Sequence, residues 1–202
     1  LDYVQLLPVP AAGSATGAAA GVSGSSAPGS WAGSAASSAG AVRFEIEQLD
    51  ILQASEGAAE QVNLVEGGFA ATGVFGGDAV VFWFGTQSPG AVLEFRVPVA
   101  VAGRYQVTVG LAKSWDYGVY QCMLAGQDVG PSLDLASAQE PGQVYPLTVQ
   151  LGAHHLQRPS VPLGFRLEGP SPQAQEGPNP MSGAFDWVRL TPATLVVSES
   201  AA

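Results

Sequence analysis

Side chains able to do chemistry are few in this chain, and they gather in short stretches. In AKSWDYG (112–118), Lys113, Trp115, Asp116 and Tyr117 stand together. An aromatic ring offers an apolar face to a pyranose, while a lysine or aspartate hydrogen-bonds sugar hydroxyls. The chemistry expected there is reversible sugar recognition. The same residues also read as an aromatic loop packed over one end of the fold, or as a contact between subunits. In FEIEQLDIL (44–52), Glu45 and Glu47 are two apart, so a strand places both on one face. Asp186 in AFDWVRL (184–190) is a third carboxylate, within reach of them if its strand lies alongside. The plainer reading is two solvated edge carboxylates and a turn-capping aspartate.

Residues arranged for catalysis are missing. His154 and His155 are the only histidines, and nothing in the sequence ties them to Cys122, the only cysteine. There is no G-x-S-x-G, no H-E-x-x-H and no phosphate-cradling loop. Serines are densest in residues 11–41, which hold 8 of the 18. Scattered Asp and Glu leave a glycosidase-type pair open, but no activated nucleophile is visible. The chain is therefore expected not to be an enzyme. Cys122 in GVYQCMLAG reads as a small buried apolar residue. One cysteine excludes an intrachain disulfide and a cysteine-rich metal site.

The bulk properties narrow the partners. Of 202 residues, 17 are acidic and 7 basic, for a formal charge of −10. Such a surface repels phosphate backbones, so nucleic acid is not an expected partner. Only 12% of residues are charged, and a neutral Gly/Ala/Ser-rich surface suits an extracellular or cell-surface protein. No apolar run reaches the roughly 18–20 residues that span a bilayer. The chain opens on Leu1 without a leader, which leads us to expect processing or a longer parent.

Four regions must position these residues. Residues 1–10 are a strand-like apolar alternation. Residues 11–41 are an Ala/Gly/Ser-rich tether with Trp31 as its lone aromatic. Residues 42–192 are a globular domain, and 193–202 a short tail. The domain reads as β throughout. FEIEQLDIL, AVVFWF, AVLEFRVPV, AGRYQVTVGLA, VYQCML, YPLTVQLGAHHL, LGFRLEG and AFDWVRL are strand-like, with turn residues between them. In VVFWFG at least one face of Phe82, Trp83 and Phe84 must be core, with Trp83 the ring expected to point outward. GPSPQAQEGPNPMSG (169–183) is a polar loop before the last strand. The expected fold is an all-β antiparallel sandwich of the jelly-roll type.

The order of motifs adds a family resemblance. FEIEQLDI, then FRVPVAVAGRYQVTV, YQCMLAGQDVG, VQLGAHHL and finally FDWVRLTP resemble carbohydrate-binding modules of families 6 and 35, over about three-quarters of the chain. The AGQDVG turn departs from those modules' usual D-G turn. The resemblance implies a β-sandwich whose first and last strands are neighbours, with sugar contacts on inter-strand loops. It also implies a structural Ca²⁺ held partly by carboxylates of the opening and closing strands, here Glu45, Glu47 and Asp186. Calcium needs several hard oxygen ligands.

One repeat stands outside that pattern. LDYVQLLP (1–8) and FDWVRLTP (185–192) share Asp, Val, Leu and Pro at the same four positions. Residues 1–8 thus read as a second copy of the closing strand, and Asp2 as the counterpart of Asp186. Three readings follow. Leu1, Asp2, Tyr3, Val4, Gln5 and Leu6 add to a neighbouring copy and build a surface fibre, with self as the partner. Or they close a preceding module of a tandem array. Or the chain is a plain carbohydrate-binding module, with glycans as partners and residues 1–8 a vestige. The sequence favours a non-catalytic extracellular subunit linked through this strand, with sugar binding as the alternative.

Overall fold

The computed structural model describes residues 40–63, 70–71, 75, 77, 79–85, 88–138, 141–174 and 180–193. Residues 1–39 and 194–202 lie outside them, and with them the terminal strand, nearly all of the tether and the tail. The strands are β1 (Val42–Glu45), β2 (Ile51–Ala54), β3 (Ala58–Asn63), β4 (Ala70–Ala71), β5 (Ala79–Phe84) and β6 (Val92–Pro98). They continue as β7 (Gly103–Ser114), β8 (Gly118–Leu124), β9 (Gln127–Asp134), β10 (Gln143–Leu156), β11 (Ser160–Pro170) and β12 (Gly183–Pro192).

These strands form two sheets. One runs β3-β5-β12-β7-β10-β4, with β1 also on β12. The other runs β2-β6-β11-β8-β9. All pairs are antiparallel except the two-residue contact of β4 with β10. The expected all-β sandwich is what forms. Alternation explains it. In β6, Leu93, Phe95 and Val97 are buried while Glu94 and Arg96 point away. Val107, Val109 and Leu111 are likewise buried in β7, where the alternate residues Thr108 and Ala112 are covered too. Aromatic rings join the sheets: Phe165 stacks on Phe185 at 4.1 Å, and Tyr120 meets Phe185 edge-on at 5.6 Å. Cys122 is fully buried in this core, and burial pushes its thiol pKa up to about 12.

Three expectations change. FEIEQLDIL is not one strand. β1 ends at Glu45, and Ile46–Gln48 form a single 3-10 turn before β2. The turn carries the chain from one sheet to the other and drives Ile46 and Leu49 into the core. Second, Trp83 does not point outward. It is fully buried, while Phe82 and Phe84 are half-buried and stack at 5.1 Å. Gly183 lies opposite Trp83, and Tyr120 fills the space a side chain there would need, 2.8 Å from its Cβ. Third, β3, from AAEQVN, gave no strand signal because alanine, glutamate and glutamine have weak β propensity. It forms as an edge against β5.

The closing strand is central rather than peripheral. β12 pairs with β7 along one side, from Ala184 to Pro192. Its other side is filled by β5 at residues 183–185 and by β1 at residues 187–190. The opening and closing strands are thus neighbours, with Phe44 opposite Val188. A bulge at Asp186 lets Phe185 and Val188 both face inward while Trp187 lies outward, over Gly110. A Cβ on Gly110 would sit 2.2 Å from the indole nitrogen. Gly110→Ala is therefore expected to cost about 1–3 kcal/mol through displacement of the Trp187 ring. A urea midpoint equal to that of the parent protein would contradict the flat packing.

Candidate functional site

Two groups of polar side chains lie on this frame. The first surrounds Glu47, at the end of β1. Glu45 does not share a strand face with it, because the chain has already turned. Instead Glu45 is clamped by Arg43, two residues earlier on the same face. Arg43 Nε lies 3.0 Å from Oε1, and Nη2 donates to Oε2 at 3.2 Å. The same guanidinium lies 4.6 Å from the centre of the Trp187 ring, and Arg189 approaches that ring at 5.5 Å. Glu47 sits in the turn, half-buried, with Oε2 shielded from water and lacking a hydrogen-bond partner among the described residues. Its other oxygen faces Gly77, where a Cβ would lie 3.6 Å away.

Burial raises the Glu47 pKa to about 7, and the charges of Glu45 and Asp186 push the same way. Its own backbone hydrogen bond, second in size to burial, and the Arg43 charge push the opposite way. Asp186 is fully buried at the bulge. The electrostatics thus link the three carboxylates expected from the sequence. Among the described residues, however, no three acidic, histidine or cysteine side chains converge closely enough to hold a metal ion. By chemistry the donors fit calcium: they are hard oxygens, and one of them is buried without a partner. Arg43 already engages Glu45, and Glu47 Oε2 is the buried carboxylate oxygen without a hydrogen-bond partner among the described residues. Arg43 was the residue missed in the sequence, although R-x-E spacing places it beside Glu45 on a strand.

The second group lies at the turn from β7 to β8. Trp115 and Lys113 are half-buried there. Asp116 is nearly buried, and desolvation raises its carboxyl pKa. Tyr117 is only 3% exposed and packs against Phe82 at 5.9 Å. Burial also raises its phenol pKa. Its ring is therefore part of the packing and not a face open to a sugar, which corrects its expected role. The turn holds its shape through backbone bonds: the Ser114 amide donates to the Leu135 carbonyl, and that of Gly118 to Ser182. The Ser114 hydroxyl also donates to the Gln143 carbonyl at 2.9 Å. Trp115 and Lys113 remain partly open to solvent, while Asp116 is largely covered. The outward rings of Phe82 and Phe84 were not picked out in the sequence, where alternation alone did not say which face was core.

The two histidines lie on β10. A ring nitrogen of His154 lies 2.8 Å from the Leu151 carbonyl, across the bulge at Gly152, where φ is +97°. His155 is exposed on the same strand. Among the described residues no helix is long and apolar enough to cross a membrane. Leu1 to Leu6, expected to carry the inter-subunit strand, lie outside the described residues.

No protein-family model matches the chain, and no curated protein matches it by sequence. Solved structures do. The Paenibacillus xanthan lyase is similar at 18% identity and a TM-score of 0.59, over 75% of this chain and 13% of that chain. A family 35 carbohydrate-binding module from Clostridium thermocellum is similar at 17% identity and a TM-score of 0.44, over 77% of this chain and 100% of that one. A family 36 carbohydrate-binding module in complex with calcium and xylotriose is similar at 11% identity and a TM-score of 0.41, over 74% and 98%. The chain thus spans about an eighth of the lyase and the full length of single modules. At these identities the likeness is one of fold.

Proposed function

We propose that this chain is a non-catalytic, glycan-binding β-sandwich belonging to a secreted glycan-active protein, with the β7–β8 turn as its sugar-binding edge. The observation that carries this reading is the half-buried indole of Trp115, held on a braced turn between Lys113 and Asp116. Such a ring supplies an apolar face for a pyranose, and the partly exposed Lys113, two positions earlier in the chain, supplies a hydrogen-bond donor. The resemblance to carbohydrate-binding modules supports the same reading.

The reading includes a structural calcium ion near Glu47 and Asp186. An ion there neutralises carboxylates that otherwise repel one another and ties the opening strand to the closing one. Glu45 adds negative charge while it stays paired with Arg43.

Affinity electrophoresis in gels containing xylan, mannan, β-glucan or xanthan tests the sugar reading. The protein is expected to be retarded by at least one of them, and Trp115→Ala to weaken that retention about 10-fold or more, equivalent to about 1.4 kcal/mol. Free migration in every polysaccharide gel would remove the proposal. Retention unchanged by Trp115→Ala would move the site away from this turn.

A further inference from the structure

β1, β12, β7 and β10 lie side by side in one sheet, and their register fixes what stands together on its outer face. Phe44, Val188, Val109 and Val149 pack into the core, so the residues on either side of them point out. Directly opposite one another across the four strands stand Arg43, Arg189, Thr108 and Gln150. The neighbouring row is Glu45, Trp187, Gly110 and Thr148. Two rows away from Arg189 in the other direction, Arg104 of β7 pairs with His155 of β10. Strand geometry puts the Arg104 and Arg189 backbones roughly 14 Å apart. Arg189, Arg104, His155 and Gln150 are all exposed.

This face carries three of the chain's seven lysines and arginines, although the formal charge of the whole is −10. The one carboxylate in these rows, Glu45, is taken by Arg43. Arginines directly opposite one another on adjacent strands repel and cost stability. Among the described residues Arg189 has no ion pair to offset that cost. It is held instead against the Trp187 ring, which itself lies flat on Gly110. A guanidinium held by a ring keeps its N–H edge free, and that fork fits a carboxylate. Thr108, Gln150 and Thr148 beside it can donate to and accept from hydroxyls. Large exposed apolar side chains are elsewhere among the described residues: Val42 is on the other side of β1, and Ile51, Leu52 and Val101 are on other elements. The face therefore offers little to anchor a peptide. The acidity of the remaining surface favours an anion with well-separated charges over a dense phosphodiester.

We infer that the outer face of this sheet is a second binding surface, which takes the carboxylates of an acidic polysaccharide, with Arg189 as the anchor and Arg104 as the next cation along. Arg104 stands near the opening of β7 and Trp115 just past its end, so the length of that strand separates this surface from the β7–β8 turn. The inference does not rest on that turn being a sugar site.

The experiment titrates polygalacturonate, its methyl ester and polyglutamate into the full chain by calorimetry. Low ionic strength and EDTA are used, so that no metal bridges carboxylates. Polygalacturonate is expected to bind at least about 10-fold more tightly than the uncharged ester, and to weaken as salt is added. Arg189→Ala is expected to lose about 10-fold or more of that affinity. Arg189→Lys should recover only part of it, because an ammonium has no planar fork. Trp115→Ala should change nothing. Since Arg189 is exposed, Arg189→Ala is also expected to melt no lower than its parent, which separates lost binding from lost fold. No binding of polygalacturonate, equal binding of its ester, or an Arg189→Ala variant that binds like the parent would each overturn the inference. Tighter binding of polyglutamate would make the ligand an acidic peptide and overturn it too. Binding lost in Trp115→Ala but kept in Arg189→Ala would return the ligand to the turn, sinking this inference and sparing the proposed function. Binding lost only through Arg189, with no retention by neutral polysaccharides, would do the reverse.

Discussion

Trp83→Ala is expected to lower the stability of the sandwich by about 3–5 kcal/mol. The side chain is fully buried and ranks among the largest in the core. Its indole N–H donates to the Glu56 carbonyl at 2.7 Å, joining β5 to the connection between β2 and β3. Its ring lies 6.1 Å from that of Tyr120, which in turn meets Phe185. Truncation opens a cavity where the two sheets meet, and the neighbouring rings cannot collapse into it without leaving one another. A loss of that size is a large share of the roughly 5–15 kcal/mol that holds a domain together. Phe84→Ala is the control, one residue away but half-buried on the opposite face. It is expected to cost about 1 kcal/mol, as partial burial of an aromatic implies. Urea denaturation followed by fluorescence separates the two. Similar midpoints for both variants would mean that the inward ring has been misassigned.

That contrast also marks what could be read in the sequence. Alternation fixes that Trp83 and its two phenylalanine neighbours lie on opposite faces, but not which face is inside. The decision comes from Gly183, more than ninety positions away by the numbering, whose missing side chain leaves room for Tyr120. Long alternating runs such as β6 and β7 were legible because every second residue is Val, Leu or Phe. β3 was not, because its alanines, glutamate and glutamine form a strand only when β5 offers an edge to pair with. The carboxylates were legible as a group through their order in the chain. Their arrangement was not, since the turn at Ile46–Gln48 is imposed by the need to bury Ile46 and to cross between sheets. At the β7–β8 turn the stretch itself was plain, but the burial of Tyr117 depends on Phe82, which lies 35 positions earlier by the numbering.

Glu47 gives two predictions of opposite sign that depend on one carboxyl. In the folded protein its pKa stands near 7, against a reference value of 4.5, chiefly because burial penalises the charge. Below about 4.5 the group is protonated in both states and contributes no difference. As the pH rises from there to about 7, the unfolded chain loses the proton while the folded one keeps it. Metal-free stability must therefore fall across that window and level off above it. One pKa unit corresponds to about 1.4 kcal/mol. Water reaching this half-buried group trims the difference, so the net fall is expected to be about 1–2 kcal/mol. Glu47→Gln, which cannot ionise, should flatten the profile and make the protein more stable than its parent in EDTA at pH 8. Calcium reverses that order. An ion bound only by the folded state at 1,000 times its Kd adds about 4 kcal/mol, which is more than the ionisation costs. At pH 8 with millimolar calcium the parent is therefore expected to melt well above its value in EDTA, while Glu47→Gln barely responds. Thermal melts of both proteins, with and without calcium, give the four numbers required. A parent unmoved by calcium would remove the ion from the proposal. A calcium response preserved in Glu47→Gln would place any ion elsewhere. A parent whose metal-free stability rises between pH 4.5 and 7 would contradict the burial of the carboxyl itself.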